Sequence, residues 1–374
     1  MKVEILKENL KGGLTVVERV IGKNLSLPIL DNTLLNTEDS FLSFISTNLE
    51  TTIKLWVLTK VVRKGNVLVP AKFLSSFISS LPNEKITIEA KEQNLYVECG
   101  GLKTNIRGFN PQEYPIIPEF KQEEYIQLDN QKFCQGLLGV IDIAIPSSSR
   151  PEISGIYFSF FNKNLKMAAT DSFRLGEKNI TLDQPVKKEF SFILPQRAAW
   201  EIMGILDNKE GLVKIYFSNN QVLFEFPLKE AQHPQVQITS RLIEGEYPNY
   251  QDIIPSKFKT QAVIKRDEFL NQIKTASLFS SKTNEVKISI NPEGGTAGIF
   301  AKSPDIGESK SSMPVKAEGE PIEVSFNYKY LVEGLTNIKS SEVTFEVSKE
   351  EGPCVLRPVG DASYLYVVMP IKSI

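Results

Sequence analysis

Side chains suited to covalent or acid–base chemistry are scarce in this sequence. Its one histidine, His233, lies in a polar Ala-Gln-His-Pro-Gln stretch before a strand, where an exposed loop position is the expected reading rather than a lone general base. Cys99, Cys134 and Cys354 are odd in number and far apart, so they offer neither a disulfide framework nor zinc-ligand spacing. Their apolar or turn contexts suit small buried hydrophobes, and a reducing cytoplasm is the expected compartment. Asp171 with Arg174 is polar enough for a site, but no second carboxylate clusters with it in sequence. No Gly-x-x-x-x-Gly-Lys-Ser/Thr loop, no Gly-x-Gly-x-x-Gly after a strand and no Gly-x-Ser-x-Gly elbow occurs. The expectation is therefore a non-catalytic protein with no metal and no cofactor.

Charge points to partners less directly. The 374 residues hold 43 Lys and Arg against 45 Asp and Glu, a net charge of −2, which excludes a protein that grips nucleic acid by bulk charge. The charge is uneven, however. Six stretches with helical spacing (7–23, 70–81, 129–145, 195–208, 265–282 and 327–339) carry a net +4, and the remaining residues carry −6. A mildly basic helical layer is compatible with weak, sequence-independent contact to a polyanion. The charged N-terminus, with Lys2, Glu4, Lys7 and Glu8, is unlike a signal peptide, and no apolar run approaches a membrane span.

These helical stretches belong to one order of elements repeated three times. Each copy opens with a short strand and a helix. Leu10, Leu14, Val17 and Ile21 share one helical face in the first copy, Phe133, Leu137, Val140 and Ala144 in the second, and Phe269, Ile273 and Ala276 in the third. Asp129 and Asp267 stand where an N-cap carboxylate is expected. A strand pair follows: Ile29 to Leu35 with Phe41 to Thr47, Ile153 to Phe161 with Leu165 to Thr170, and Val286 to Asn291 with Thr296 to Ala301. A second helix comes next, from Pro70, Pro195 or Asn327, and each copy closes on strands of period two. The predicted architecture is α+β: three similar domains, each two helices on antiparallel sheet, at 1–122, 123–256 and 257–374.

The chain resembles the bacterial sliding clamps, the DNA polymerase III beta-subunit family, over essentially its whole length. The residues carrying this are Leu27-Pro-Ile-Leu30, Val69-Pro-Ala71, Arg150-Pro-x-Ile-x-Gly155, Ala169-Thr-Asp-Ser-Phe-Arg-Leu175, Gly245-Glu-Tyr-Pro-Asn-Tyr250, Phe326-Asn-x-x-Tyr330 and Tyr366-Val-Val-Met-Pro-Ile371. Each is weak alone; their order and spacing together are specific.

The resemblance implies the DNA clamp fold and a head-to-tail homodimer, a closed ring of six domains with twelve helices lining the hole. Twelve helices spaced about 8–10 Å apart put their axes on a ring about 31–38 Å across. One helix thickness of about 10 Å leaves a hole roughly 21–28 Å wide, enough for duplex DNA and a water layer. Processivity of the polymerase then comes from topology rather than tight binding. The resemblance also implies a pocket for short peptides of the DNA polymerase III alpha subunit, the clamp loader and repair proteins. Its matched positions are Ile153, Thr170, Ser172, Phe173, Arg174, Leu175, Pro248, Ile253, Asn327, Tyr330, Val367, Val368, Met369, Pro370 and Ile371, with Arg174 and Asn327 available to peptide polar groups. Expected DNA-facing cations are Lys23, Lys72, Arg150, Arg197, Arg266 and Lys274. The expected dimer contacts are Lys103, Thr104 and Ile106 on one strand and Leu278 and Phe279 at a helix end. Asp252 stands where the family commonly has a basic residue and Thr283 where an aromatic often sits; both bear on peptide preference, not on fold. Two other readings compete: a three-domain peptide-binding hub that does not encircle DNA, and an enzyme whose site assembles at domain interfaces.

Overall fold

The computed structural model describes residues 1–22, 27–117, 120, 124–228 and 233–371. Six α-helices lie among them: α1 (Lys7–Val17), α2 (Ala71–Ser80), α3 (Asn130–Leu138), α4 (Gln196–Leu206), α5 (Arg266–Ser277) and α6 (Tyr328–Asn337). Each forms where the apolar spacing predicts a buried face. Leu10, Leu14 and Val17 are buried on α1, Leu74 and Ile78 on α2, Phe269 and Ile273 on α5, and Leu331 and Leu335 on α6.

Two helix details differ from expectation. Asp267 does not cap α5: Lys265 holds the cap position without a side-chain bond, and Asp267 sits in the first turn, 2.6 Å from Arg266. There its charge still complements the helix dipole. The second domain's first helix ends at Leu138, and turns carry the chain on through Val140 to Ile143. At that end the Gly139 carbonyl accepts bonds from the Tyr364 hydroxyl at 3.1 Å and the Asn337 amide at 3.4 Å. These side-chain donors satisfy an acceptor that a longer helix would have paired internally.

By proximity the chain falls into two units that do not follow the three repeats: Met1–Gln131 with Arg197–Leu242, and Lys132–Gln196 with Ile243–Ile374. The expected boundary at 122/123 lies outside the described residues. In the first unit, a five-stranded antiparallel sheet runs Lys60–Arg63, Lys2–Leu6, Lys85–Lys91, Asn94–Cys99, Leu102–Arg107. An eight-stranded sheet also forms there. Its strand Thr51–Leu58, from the first repeat, pairs with Pro234–Arg241, from the second, in the register Ile53↔Ile238. Successive repeats thus share one continuous sheet.

The second unit repeats this device. Its nine-stranded sheet joins Arg174–Thr181 of the middle repeat to Tyr364–Val368 of the third, with Leu175 opposite Val367. A four-stranded sheet runs Gly307–Pro314, Thr296–Ser303, Glu285–Asn291, Ile322–Asn327. Glycine sets how closely α6 approaches the seam. A Cβ at Gly334 would lie 2.5 Å from the Tyr366 ring, so any larger residue would push the helix off the sheet.

Candidate functional site

The site grows from the turn between strands Asn164–Thr170 and Arg174–Thr181. The Asp171 carboxylate accepts the backbone N–H groups of Phe173 at 2.9 Å and Arg174 at 3.0 Å. The Thr170 hydroxyl accepts the Ser172 N–H at 3.2 Å and donates to the Arg174 carbonyl at 2.7 Å. These local bonds hold Ser172 at φ +78, a left-handed conformation that a non-glycine residue adopts only when its surroundings impose it. The tight turn leaves Phe173 exposed and directs Arg174 inward.

Arg174 is the centre of a buried polar network. Only 7% of the residue is exposed. Its Nε donates to Asp171 at 3.0 Å, one Nη donates to Glu333, and the other to the Asp142 carbonyl at 3.2 Å. The guanidinium lies 4.6 Å from the centre of the Tyr330 ring. Burial works against the Arg174 charge, but Tyr366, Glu333 and Asp171 outweigh it and raise its pKa above that of ordinary arginine. Burial pushes the Glu333 carboxyl up, and Arg174 only partly offsets this. Glu333 Oε1 is buried without a hydrogen-bond partner, so the network is charged but not fully satisfied. Asp142 is likewise raised by burial against the pull of Arg174.

Beneath this network lies an apolar seam. Leu175, Val367 and Val368 are buried; Leu175 and Val367 form a core with Ala168, Tyr250, Val355 and Leu365. The Tyr250 hydroxyl donates to Glu177 at 2.6 Å, which keeps that buried carboxylate paired. Beyond the seam the chain crosses the turn. The Met369 N–H donates to the Phe173 carbonyl at 2.8 Å, and the Ile371 N–H to the Ser325 carbonyl at 2.8 Å. Met369, Pro370 and Ile371 are left half-buried beside exposed Phe173, a deformable apolar lip next to a fixed cation.

The structure therefore brings Thr170, Ser172, Phe173, Arg174, Leu175, Tyr330 and Val367 to Ile371 together. Ile153 is buried at the end of the short helical turn that begins at Pro151, and Arg150 from that turn reaches the Ser172 hydroxyl at 3.0 Å. Pro248 is half-buried and Ile253 exposed, on either side of Tyr250. Asn327 uses its side-chain oxygen to cap α6 at the Lys329 N–H, 3.1 Å away. Arg174 and Asn327, the two groups the resemblance makes available to peptide polar groups, are thus both engaged within the chain. Glu333 and Asp142 were missed. The signal for Glu333 was its place one helical turn after Tyr330, which puts both on the guanidinium.

The expected DNA-facing cations divide. Lys72, Arg197 and Lys274 are exposed, and their side chains make no ion pair or hydrogen bond among the described residues. Arg150 is paired with Glu152 at 3.3 Å and Arg266 with Asp267. Lys23 lies outside the described residues. Of the expected dimer contacts, Lys103, Thr104 and Ile106 lie on the edge strand Leu102–Arg107, with the Ile106 side chain buried in its own domain. Leu278 follows α5 with 70% of its surface exposed, and Phe279 is partly buried. No cluster of three or more His, Cys, Asp or Glu side chains suited to a metal ion occurs among the described residues. No helix among them is long and apolar enough to cross a membrane.

Three family models match in succession. They are those of the DNA polymerase III beta subunit: the N-terminal domain over residues 1–118, the central domain over 128–249 and the C-terminal domain over 251–372. The chain is 27% identical over 379 residues to the beta sliding clamp of Synechococcus elongatus, covering 100% of this chain and 99% of that one. It is 26% identical over 385 residues to the beta sliding clamp of Bacillus subtilis, covering all of both. Its fold superposes on the crystal structure of the Bacillus subtilis DNA polymerase sliding clamp with a TM-score of 0.95 and 25% identity over the whole of both chains. A Pseudomonas aeruginosa sliding clamp bound to griselimycin matches with a TM-score of 0.93 at 23% identity, again over both full chains, a likeness of fold.

Proposed function

The chain belongs to the DNA polymerase III beta-subunit family, and we propose that two copies close into that family's ring, which encircles duplex DNA and tethers the replicative polymerase. The role is that of a non-catalytic processivity factor. One observation supports closure most strongly: successive repeats join by antiparallel pairing at sheet edges, and of the sheet edges that stay open among the described residues, two are long edge strands of the first and third repeats. These are Leu102–Arg107 in the first repeat and Gly307–Pro314 in the third. An unpaired edge is a template for another strand. Pairing the first repeat of one copy with the third of another, beside exposed Leu278, repeats the device already used twice within the chain.

Within this reading Lys72, Arg197 and Lys274 face the duplex, because they alone among the described candidates keep an uncommitted charge. Their contacts are with phosphates and so are indifferent to sequence. The domains are assigned as 1–122, 123–256 and 257–374. The groove around Arg174 takes linear peptides of the polymerase alpha subunit, the clamp loader and repair proteins, in the cytoplasm. Phe173, Met369 and Pro370 supply its apolar contact, while Arg174 fixes the turn rather than offering free donors. Replacing Met369 and Pro370 together by alanine is expected to weaken a fluorescent polymerase alpha-subunit peptide at least tenfold and to leave the dimer intact. An unchanged affinity, or loss of the dimer, would contradict the groove assignment.

A further inference from the structure

One face of α4 carries an unusual set of groups. Arg197, Trp200, Glu201 and Gly204 follow one another on its outer stripe, opposite buried Ala198, Ala199, Ile202, Met203, Ile205 and Leu206. Trp200 is 41% exposed. Large aromatic rings are costly to leave in water, and this one keeps about two fifths of its surface exposed on the helix. Arg197 precedes it by one turn, with its guanidinium beside Gly22 and no ion partner among the described residues. A second guanidinium, from Arg19, reaches the same stripe one turn later. Its Nε pairs with Glu201 at 3.0 Å, and its Nη2 occupies the space over Gly204, 1.7 Å from where a Cβ would stand. Any other residue at 204 would displace it. The indole is therefore bracketed along the helix by two guanidiniums, one uncommitted and one held by a carboxylate.

We propose that this Arg197–Trp200–Arg19 stripe is a contact for single-stranded nucleic acid, with Trp200 stacking on an unpaired base and the arginines meeting the flanking phosphates. A flat apolar ring has little to recognise on a duplex, whose base faces are closed by stacking. Unpaired bases expose those faces, and aromatic stacking with adjacent cations is how proteins bind them without reading sequence. The inference rests on the clamp reading for its setting: helices that face DNA would meet single strand wherever the template runs beyond the primer.

The chain has two tryptophans, and Trp56 is buried, so the difference in emission between wild type and Trp200→Phe reports on position 200. Titration with oligothymidylate is expected to quench that signal, and a blunt duplex of equal length to quench it far less. Trp200→Ala should weaken oligothymidylate binding about fivefold or more, and Trp200→Phe should restore most of it. Arg197→Ala should reduce the slope of log affinity against log salt by about 0.7, the value for one lost phosphate on a single strand. Equal quenching by duplex, or an unchanged affinity in Trp200→Ala, would overturn the proposal. So would conversion of Trp200→Ala to monomer, which would assign the indole to a contact between copies. Retention of Trp200→Ala on circular duplex is expected to match wild type. Failure of wild type in that assay would strike the clamp reading and not the stacking.

Discussion

Arg174→Ala is expected to lower the unfolding free energy by about 3 kcal/mol, measured by urea denaturation, and to abolish peptide binding. Removing one partner of a buried ion pair leaves an uncompensated charge, typically costing about 3–5 kcal/mol. Here the Asp171 side chain is buried while the Glu333 side chain is 24% exposed, which argues for the lower end. Lysine is not expected to rescue it, because one ammonium cannot serve Asp171, Glu333 and the Asp142 carbonyl while stacking on Tyr330. The deficit should also depend on pH. Burial already raises the folded-state pKa of Glu333 above its ordinary 4.5, and losing Arg174 raises it further. The folded state then binds more protons than the unfolded state between the two values, so stability falls as pH rises through that window. The variant is therefore expected to approach wild type near and below pH 4.5 and to diverge above it. A deficit that grows on acidification would mean that the carboxylates do not depend on Arg174.

Leu278→Asp is expected to turn the dimer into a monomer without unfolding it. Leu278 is 70% exposed and terminates α5, so a charge there costs little in the isolated chain. If it is buried between copies, the same charge is desolvated and unpaired. If Leu278 is one of the few anchors that carry most of the interface energy, this is worth about 2 kcal/mol or more, about 30-fold in dimer affinity. Sedimentation equilibrium checks the state, and circular dichroism checks the fold. Ile106 is the wrong place for this test: its side chain is buried within its own domain, so a charge there would unfold the strand whether or not a partner pairs with its backbone. A Leu278→Asp chain that stays dimeric would remove the helix end from the interface.

Local periodicity carried much of the architecture. Leu10, Leu14 and Val17, or Leu331 and Leu335, announce helix faces that the structure buries. The sheet seams were invisible to it. Nothing in the spacing of Arg174–Thr181 indicates a partner at Tyr364–Val368, since a pairing across so many residues depends on register and not on local propensity. The groove was legible only as a resemblance, through Ala169 to Leu175 and the tail from Tyr366. Its electrostatics were not. Glu333 and Asp142 are ordinary surface residue types, and only the tertiary approach of α6 and of the turn after α3 brings them to one guanidinium. Bulk charge misled in the same way. A net −2, even divided into a helical +4 and a remaining −6, does not tell which cations are committed, and only the structure separates paired Arg150 and Arg266 from Lys72, Arg197 and Lys274.

Enclosure of DNA is tested most directly by loading the protein on nicked circular duplex, isolating the complex, and then linearising the circle. A protein held by topology should stay on the circle through moderate salt and leave once free ends appear. One that remains on the linear duplex, or leaves the closed circle as readily as the open one, is bound by contact, and the ring reading would be wrong.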